Sequence, residues 1–177
     1  MILSLDILTV LLLLVIIVQD FRYREISWVL LPLLFLTFGS KAVLSQSLLE
    51  AGIMSLKNLG FLAIQFLALF TFYFIKERKS VSLINYKIGL GDVLFFIAIC
   101  PAFSLLNFLF YYLIGIFSTL AGYLIFRLFN KSSSSEVPLA GCLSFIMMLF
   151  IFLQYLNNNF DMYNDDLITG FLISWKP

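Results

Sequence analysis

The sequence predicts an all-α integral membrane protein built as a bundle of about six transmembrane helices. Its 177 residues are 62% hydrophobic and only 12% charged, against about 45–50% apolar and about 25% charged in a soluble domain. The mean hydropathy is +1.05. Apolar runs of about 20 residues, long enough to cross about 30 Å of hydrocarbon, recur between short charged loops.

The first run extends from near Met1 to Gln19 and stops at the charged loop Asp20-Phe21-Arg22-Tyr23-Arg24-Glu25. It has Asp6 in place of a basic start and no small-x-small site before Asp20, so it reads as a retained span and not a removed secretory signal. Asp6 is expected at the outer interface. The second run, Ile26 to about Val43, opens with Trp28, an interfacial anchor. Lys41 to Gly60 is less apolar, and its Leu48, Leu49, Gly52, Ile53, Leu56 spacing predicts a helix lying along the membrane surface.

A third span is predicted over Leu59 to Ile75, ending in Lys76-Glu77-Arg78-Lys79 and a loop from Ser80 to Lys87. The fourth runs from Ile88 to about Leu105, with Pro101 marking a kink or an early end. A tight connection near Asn107 leads to the fifth span, Phe108 to Phe129. The polar stretch Asn130 to Glu136 is a loop, and the sixth span covers Val137 to about Leu156. Residues 1–156 thus form a six-span core, and 157–177 an acidic, flexible tail with an apolar end at Phe171 to Trp175.

Lysines and arginines orient the spans. Arg22, Arg24, Lys76, Arg78, Lys79, Lys87, Arg127 and Lys131 follow spans one, three and five, whereas the other side has only Lys41, Lys57 and Lys176. The positive-inside rule places the first set in the cytoplasm of a multi-pass cell-membrane protein, with both termini outside.

Composition also narrows the chemistry. The chain has no histidine, which removes the commonest general base and metal ligand and with them Ser-His, Cys-His and most zinc hydrolase catalysis. Cys100 and Cys142 form no Cys-x-x-Cys pair and read as lipid-facing or packing residues. A net charge of +1 and a pI near 7.7 give no reason to expect nucleic acid as a partner.

The stretch Lys87-Ile88-Gly89-Leu90-Gly91-Asp92-Val93-Leu94 puts a carboxylate just inside an apolar run, where an ionisable side chain is costly and usually functional. Asp20 ends the first span on the same side, so two carboxylates far apart in sequence reach a similar depth. A pair of this kind hydrolyses peptides with one carboxyl protonated and the other ionised, because like charges held close share a proton. Gly89 and Gly91 would let a substrate backbone or a neighbouring helix approach Asp92 closely. The plainer readings are an N-capping Asp92, packing glycines and an Asp20 loop that only sets topology.

At these residues the chain resembles the prepilin peptidase family, including the archaeal preflagellin peptidases. The segment from Val18 to Ser27 is similar to that family's first aspartate and basic loop, and Gly89-Leu90-Gly91-Asp92 to its Gly-x-Gly-Asp motif. Val137-Pro138-Leu139-Ala140-Gly141-Cys142-Leu143 resembles the proline-bearing start of its last core helix. The resemblance implies an aspartic endopeptidase with Asp20 and Asp92 as the catalytic pair and no metal or organic cofactor, removing short leaders from type IV prepilin-like precursors at the cytoplasmic face. Pro138 and Gly141 are expected to serve helix entry and packing beside the site.

Leu94 stands where many members have Lys, and Ser27 where proline is usual. The cysteine-bearing region of the larger enzymes is absent, which implies a peptidase-only form. Leu94 and Ser27 favour the alternative of a non-catalytic membrane scaffold that keeps the fold. A third reading, a small transporter, ranks last because no predicted span interior carries a charge.

Overall fold

The computed structural model describes residues 2–77, 89–129, 138–157, 160–166 and 168–170. Its elements are α1 (Ile2–Tyr23), α2 (Leu30–Ser45), α3 (Leu48–Glu77), α4 (Leu90–Ile99), a 3₁₀ turn (Cys100–Ala102), α5 (Leu105–Phe129) and α6 (Leu139–Leu156). This is an all-α membrane bundle. Four helices, α1, α3, α5 and α6, are long and apolar enough to span a bilayer, while α2 and the Leu90–Ala102 segment are shorter. The 10-residue α4 rises only about 15 Å, because Pro101 ends it in the 3₁₀ turn. The predicted full span from Ile88 to Leu105 is therefore half a span. The predicted loops from Ser80 to Lys87 and Asn130 to Glu136, the cations Arg78, Lys79, Lys87, Lys131 and Lys176, and the end at Phe171 to Trp175 lie outside the described residues.

Three boundaries differ from expectation. Helix α1 runs through Asp20 to Tyr23, so Asp20 belongs to a helical turn and not to a loop. The predicted surface helix does not form: Lys41 to Ser45 complete α2, and Leu48 opens a 30-residue helix that is continuous through Gly60. Ser47 starts it, accepting from the Glu50 N–H at 3.2 Å and donating to the Glu50 carboxylate at 3.0 Å, a local cap of the Ser-x-x-Glu kind. The tail is also not uniformly flexible. Met162 and Tyr163 are buried, and residues 160–166 close one end of the bundle.

Helix α1 packs most extensively on α6 and next on α2, while α3 meets the 3₁₀ turn and α5 packs on α6. Buried Leu13, Ile16, Leu34, Phe38, Met147 and Ile151 fill the space between α1, α2 and α6. Phe103, Phe108, Tyr111 and Phe150 form an aromatic core with ring centroids 5.0–6.4 Å apart. Two polar side chains beside it donate to carbonyls inside the bundle, as an apolar medium favours. The Tyr111 hydroxyl donates to the Leu143 carbonyl at 2.8 Å. Asn58 of α3 donates to the Cys100 and Phe103 carbonyls, each at 2.8 Å, holding the 3₁₀ turn. Cys100 is fully buried, a packing residue and not a lipid-facing one.

The closed end carries a charged centre. Lys41 Nζ lies 2.6 Å from Asp6 Oδ1 and donates to Gln154 Oε1 at 3.3 Å, while the Tyr155 hydroxyl donates to Asp6 Oδ2 at 2.6 Å. Asp6 is therefore a buried residue of the bundle and not an interfacial one. The ground for ranking a transporter last, that no span interior holds a charge, does not stand. Over this end, Asn107 donates to the carbonyls of Asp161, Met162 and Asn164 at 2.9–3.1 Å, and Gln46 donates to the Tyr163 carbonyl at 3.2 Å.

Candidate active site

The opposite end brings together the last turn of α1, the first turn of α4 and the first turn of α6. Pro138 caps α6 without a side-chain hydrogen bond, and the first closure across this turn is the Cys142 N–H to the Pro138 carbonyl at 3.2 Å. The amides of the first turn therefore have no partners within their own helix. Gly141 donates its N–H to Asp20 Oδ2 at 2.6 Å, and the Asp92 carboxylate comes close to the preceding amide, that of Ala140. Two carboxylates from different helices thus meet at the start of a third.

The placement has an electrostatic reason. Asp20 sits in the last turn of α1, the negative pole of its own helix, where an anion is disfavoured. The positive pole of α6 offsets this, as does Arg24, whose charge acts on Asp20. Asp92 is at the third position of α4, in the first turn, where the dipole suits an acid. Gly89, extended at φ −63° and ψ 133°, provides the N-cap and accepts the Asp92 N–H at 3.1 Å. The capping reading of Asp92 is thereby replaced: its backbone is capped, and its side chain points to α6. Asp20 is buried and Asp92 half-buried, and the charge of one acts on the other.

The glycines differ in what they permit. A Cβ on Gly141 would stand 2.8 Å from the Phe21 ring and 3.1 Å from Asp20 Oδ2, so only glycine lets α1 seat its carboxylate on this amide. A Cβ on Gly89 would meet Asp92 Oδ2 at 3.0 Å, whereas one on Gly91 would make ordinary contact with Ile26 at 3.5 Å. Gly89 thus clears space for the Asp92 carboxylate, and Gly91 gives α4 a close approach to the segment after α1. Pro138 stands at the N-cap of α6, and the Gly141 amide that receives Asp20 lies in the turn it opens.

Sequence reasoning overlooked three neighbours. In the sequence Arg24 reads as a topology signal and Cys142 as a lipid-facing or packing residue, and nothing singles out Thr119. Cys142 lies beside Thr119 of α5, near Asp20 and Arg24. The one signal in the sequence was adjacency, since Cys142 follows Gly141 directly. Leu94 packs partly buried against the core. Ser27 donates its backbone N–H to Gln19 Oε1 at 2.8 Å, a bond that proline at this position could not make. Among the described residues no group of three or more His, Cys, Asp or Glu side chains is placed to hold a metal.

No protein-family model matches the chain, and neither a curated protein nor a solved structure matches it significantly.

Proposed function

We propose that the chain is a membrane-embedded aspartic endopeptidase that removes short leaders from type IV prepilin-like precursors. The observation that carries the reading is the seating of Asp20 on the Gly141 amide at the start of α6, with Asp92 brought to the same place from α4. Two acids drawn from separate helices to one point at a bundle end are costly unless used.

In the reaction, the ionised carboxylate takes a proton from a water molecule, and the hydroxide attacks the scissile carbonyl carbon. The protonated carboxyl gives its proton to the carbonyl oxygen, forming a neutral tetrahedral diol. Collapse of the diol breaks the C–N bond, the nitrogen takes a proton from the carboxyl that received it, and the other carboxylate recovers its own. Positioned acid–base groups of this kind supply about 10²–10⁴-fold each.

The site end is the cytoplasmic end in this reading. Arg22, Arg24, Lys76 and Arg127 lie at the ends of α1, α3 and α5 on the Asp20 side, and Lys41, once counted against them, is neutralised by Asp6. The second reading, a scaffold that retains the fold, is favoured by Leu94, which packs into the core where many prepilin peptidases have a cation. Co-expression with an epitope-tagged prepilin-like precursor separates the two. A peptidase shortens the precursor and its Asp20→Asn variant does not, whereas a scaffold leaves it uncut in every case.

A further inference from the structure

Helix α3 carries an amide that the bundle does not use. Asn58, Leu62, Gln65, Leu69 and Phe72 follow one another at spacings of four and three, which puts them on one helical face. Asn58 and Leu62 are buried, Gln65 is half-buried, and Leu69 and Phe72 are exposed. The face therefore leaves the bundle as α3 runs toward the end that holds the acids. Gln65 lies well inside the spanning stretch Leu48–Lys76 and has no hydrogen-bond partner among the described residues. A primary amide at hydrocarbon depth is costly unless it is paired.

Two sets of contacts fix the level of Gln65. Asn58 donates to the Cys100 carbonyl at 2.8 Å, and α3 and α4 run in opposite directions, so Gln65, two turns on, is level with Val93. The Tyr112 ring of α5 lies 5.5 Å from that of Phe61 and 5.3 Å from that of Phe96. Gln65 and Asp92 each stand one turn beyond those rings, toward the acid end. Both registers put Gln65 at the depth of Asp92, which is itself half-buried. Tyr112 thus floors a cleft between α3 and α4. Helix α3 packs chiefly on the 3₁₀ turn below it and continues past Gln65 to Glu77, about 18 Å farther.

We propose that this cleft admits the precursor's chain from the bilayer and that Gln65 binds it there, its amide pairing with a backbone peptide group of the extended substrate beside the scissile bond. The proposal rests on the peptidase reading and adds to it a route of entry and a substrate-binding residue. A carboxamide presents N–H donors and a carbonyl acceptor, the complement of a peptide group. Leu69 and Phe72, exposed on the same face, suit the apolar segment of a membrane-inserted precursor. Gln65 takes no part in proton transfer.

The test has two arms. In the first, a photoactivatable benzophenone amino acid replaces Gln65 or, as the control, Leu67, which is exposed on the opposite face of α3. The full-length chain also carries Asp20→Asn, to keep an epitope-tagged prepilin-like precursor uncut in the same membranes. Position 65 should crosslink the precursor and position 67 should not. In the second, purified Gln65→Met keeps the length and removes the amide. Its KM should rise about tenfold, the loss of a hydrogen-bonded contact, with kcat little changed. Crosslinking as strong from position 67, crosslinks from position 65 to a second copy of this chain in place of the precursor, or an unmoved KM in folded Gln65→Met overturns the proposal. A wild-type protein that leaves precursors uncut would instead remove the peptidase reading, and the crosslinking would still decide whether the cleft receives the precursor.

Discussion

Gly141 donates its backbone N–H to Asp20 Oδ2 at 2.6 Å, joining two residues 121 positions apart. The bond exists because residue 141 has no Cβ. In Gly141→Ala the new methyl meets the Phe21 ring at 2.8 Å and Asp20 Oδ2 at 3.1 Å, which pushes α1 off the amide. Leader removal should then fall by about 10²-fold, the cost of misplacing a catalytic group by about 1 Å. Membrane insertion should be unchanged. Gly122→Ala, where nothing lies within 4 Å, is the control and should retain wild-type cleavage in the same assay.

At the far end, the Asp6–Lys41 ion pair joins α1 to α2 and is linked through Gln154 and Tyr155 to α6. Both residues are buried, so removing one partner strands a charge. Asp6→Asn or Lys41→Met should each cost about 3–5 kcal/mol. The double variant should recover most of that loss, since exchanging a buried pair for neutral residues is often close to neutral. Thermal unfolding of the four proteins in one detergent gives the coupling energy, and additive losses would show that the pair is not a unit.

Tyr163, outside the spanning helices, contributes a pH dependence. Burial pushes its phenol well above the ordinary tyrosine range, and the charges of Asp6 and Asp161 add to this. Above about pH 10 the unfolded phenol ionises while the folded one stays protonated, so the unfolded state binds fewer protons and stability falls as pH rises. The loss should begin near pH 10 and be smaller in Tyr163→Phe than in wild type. The hydroxyl is buried without a hydrogen-bond partner among the described residues, so Tyr163→Phe should match or exceed wild-type stability at pH 7. Unfolding midpoints measured from pH 7 to 11 check both statements.

What was legible in the sequence follows from which signals are local. Apolar runs placed α1, α5 and α6 closely, because membrane length and polarity act on each segment by itself. Glycine spacing and flanking charge singled out Asp20 and Asp92 for the same reason. The amide that receives Asp20 could not be read, since every residue except proline has an N–H and only tertiary packing says which lack a helical partner. Asp6 and Lys41 were misjudged because each looks interfacial until the other is placed beside it. The continuity of α3 was hidden by Lys57 and Asn58, which lower the local hydropathy. Asn58 is in fact inside, its amide nitrogen donating to the Cys100 and Phe103 carbonyls, a partnership no window of sequence displays.

The most direct measurement is leader removal by purified protein in detergent, supplied with a prepilin-like precursor and followed by mass spectrometry of the released leader. Wild type should cut once, and Asp20→Asn and Asp92→Asn should each lower the rate by about 10²–10⁴-fold while eluting as folded protein. Full cleavage by either folded variant would contradict a two-aspartate active site.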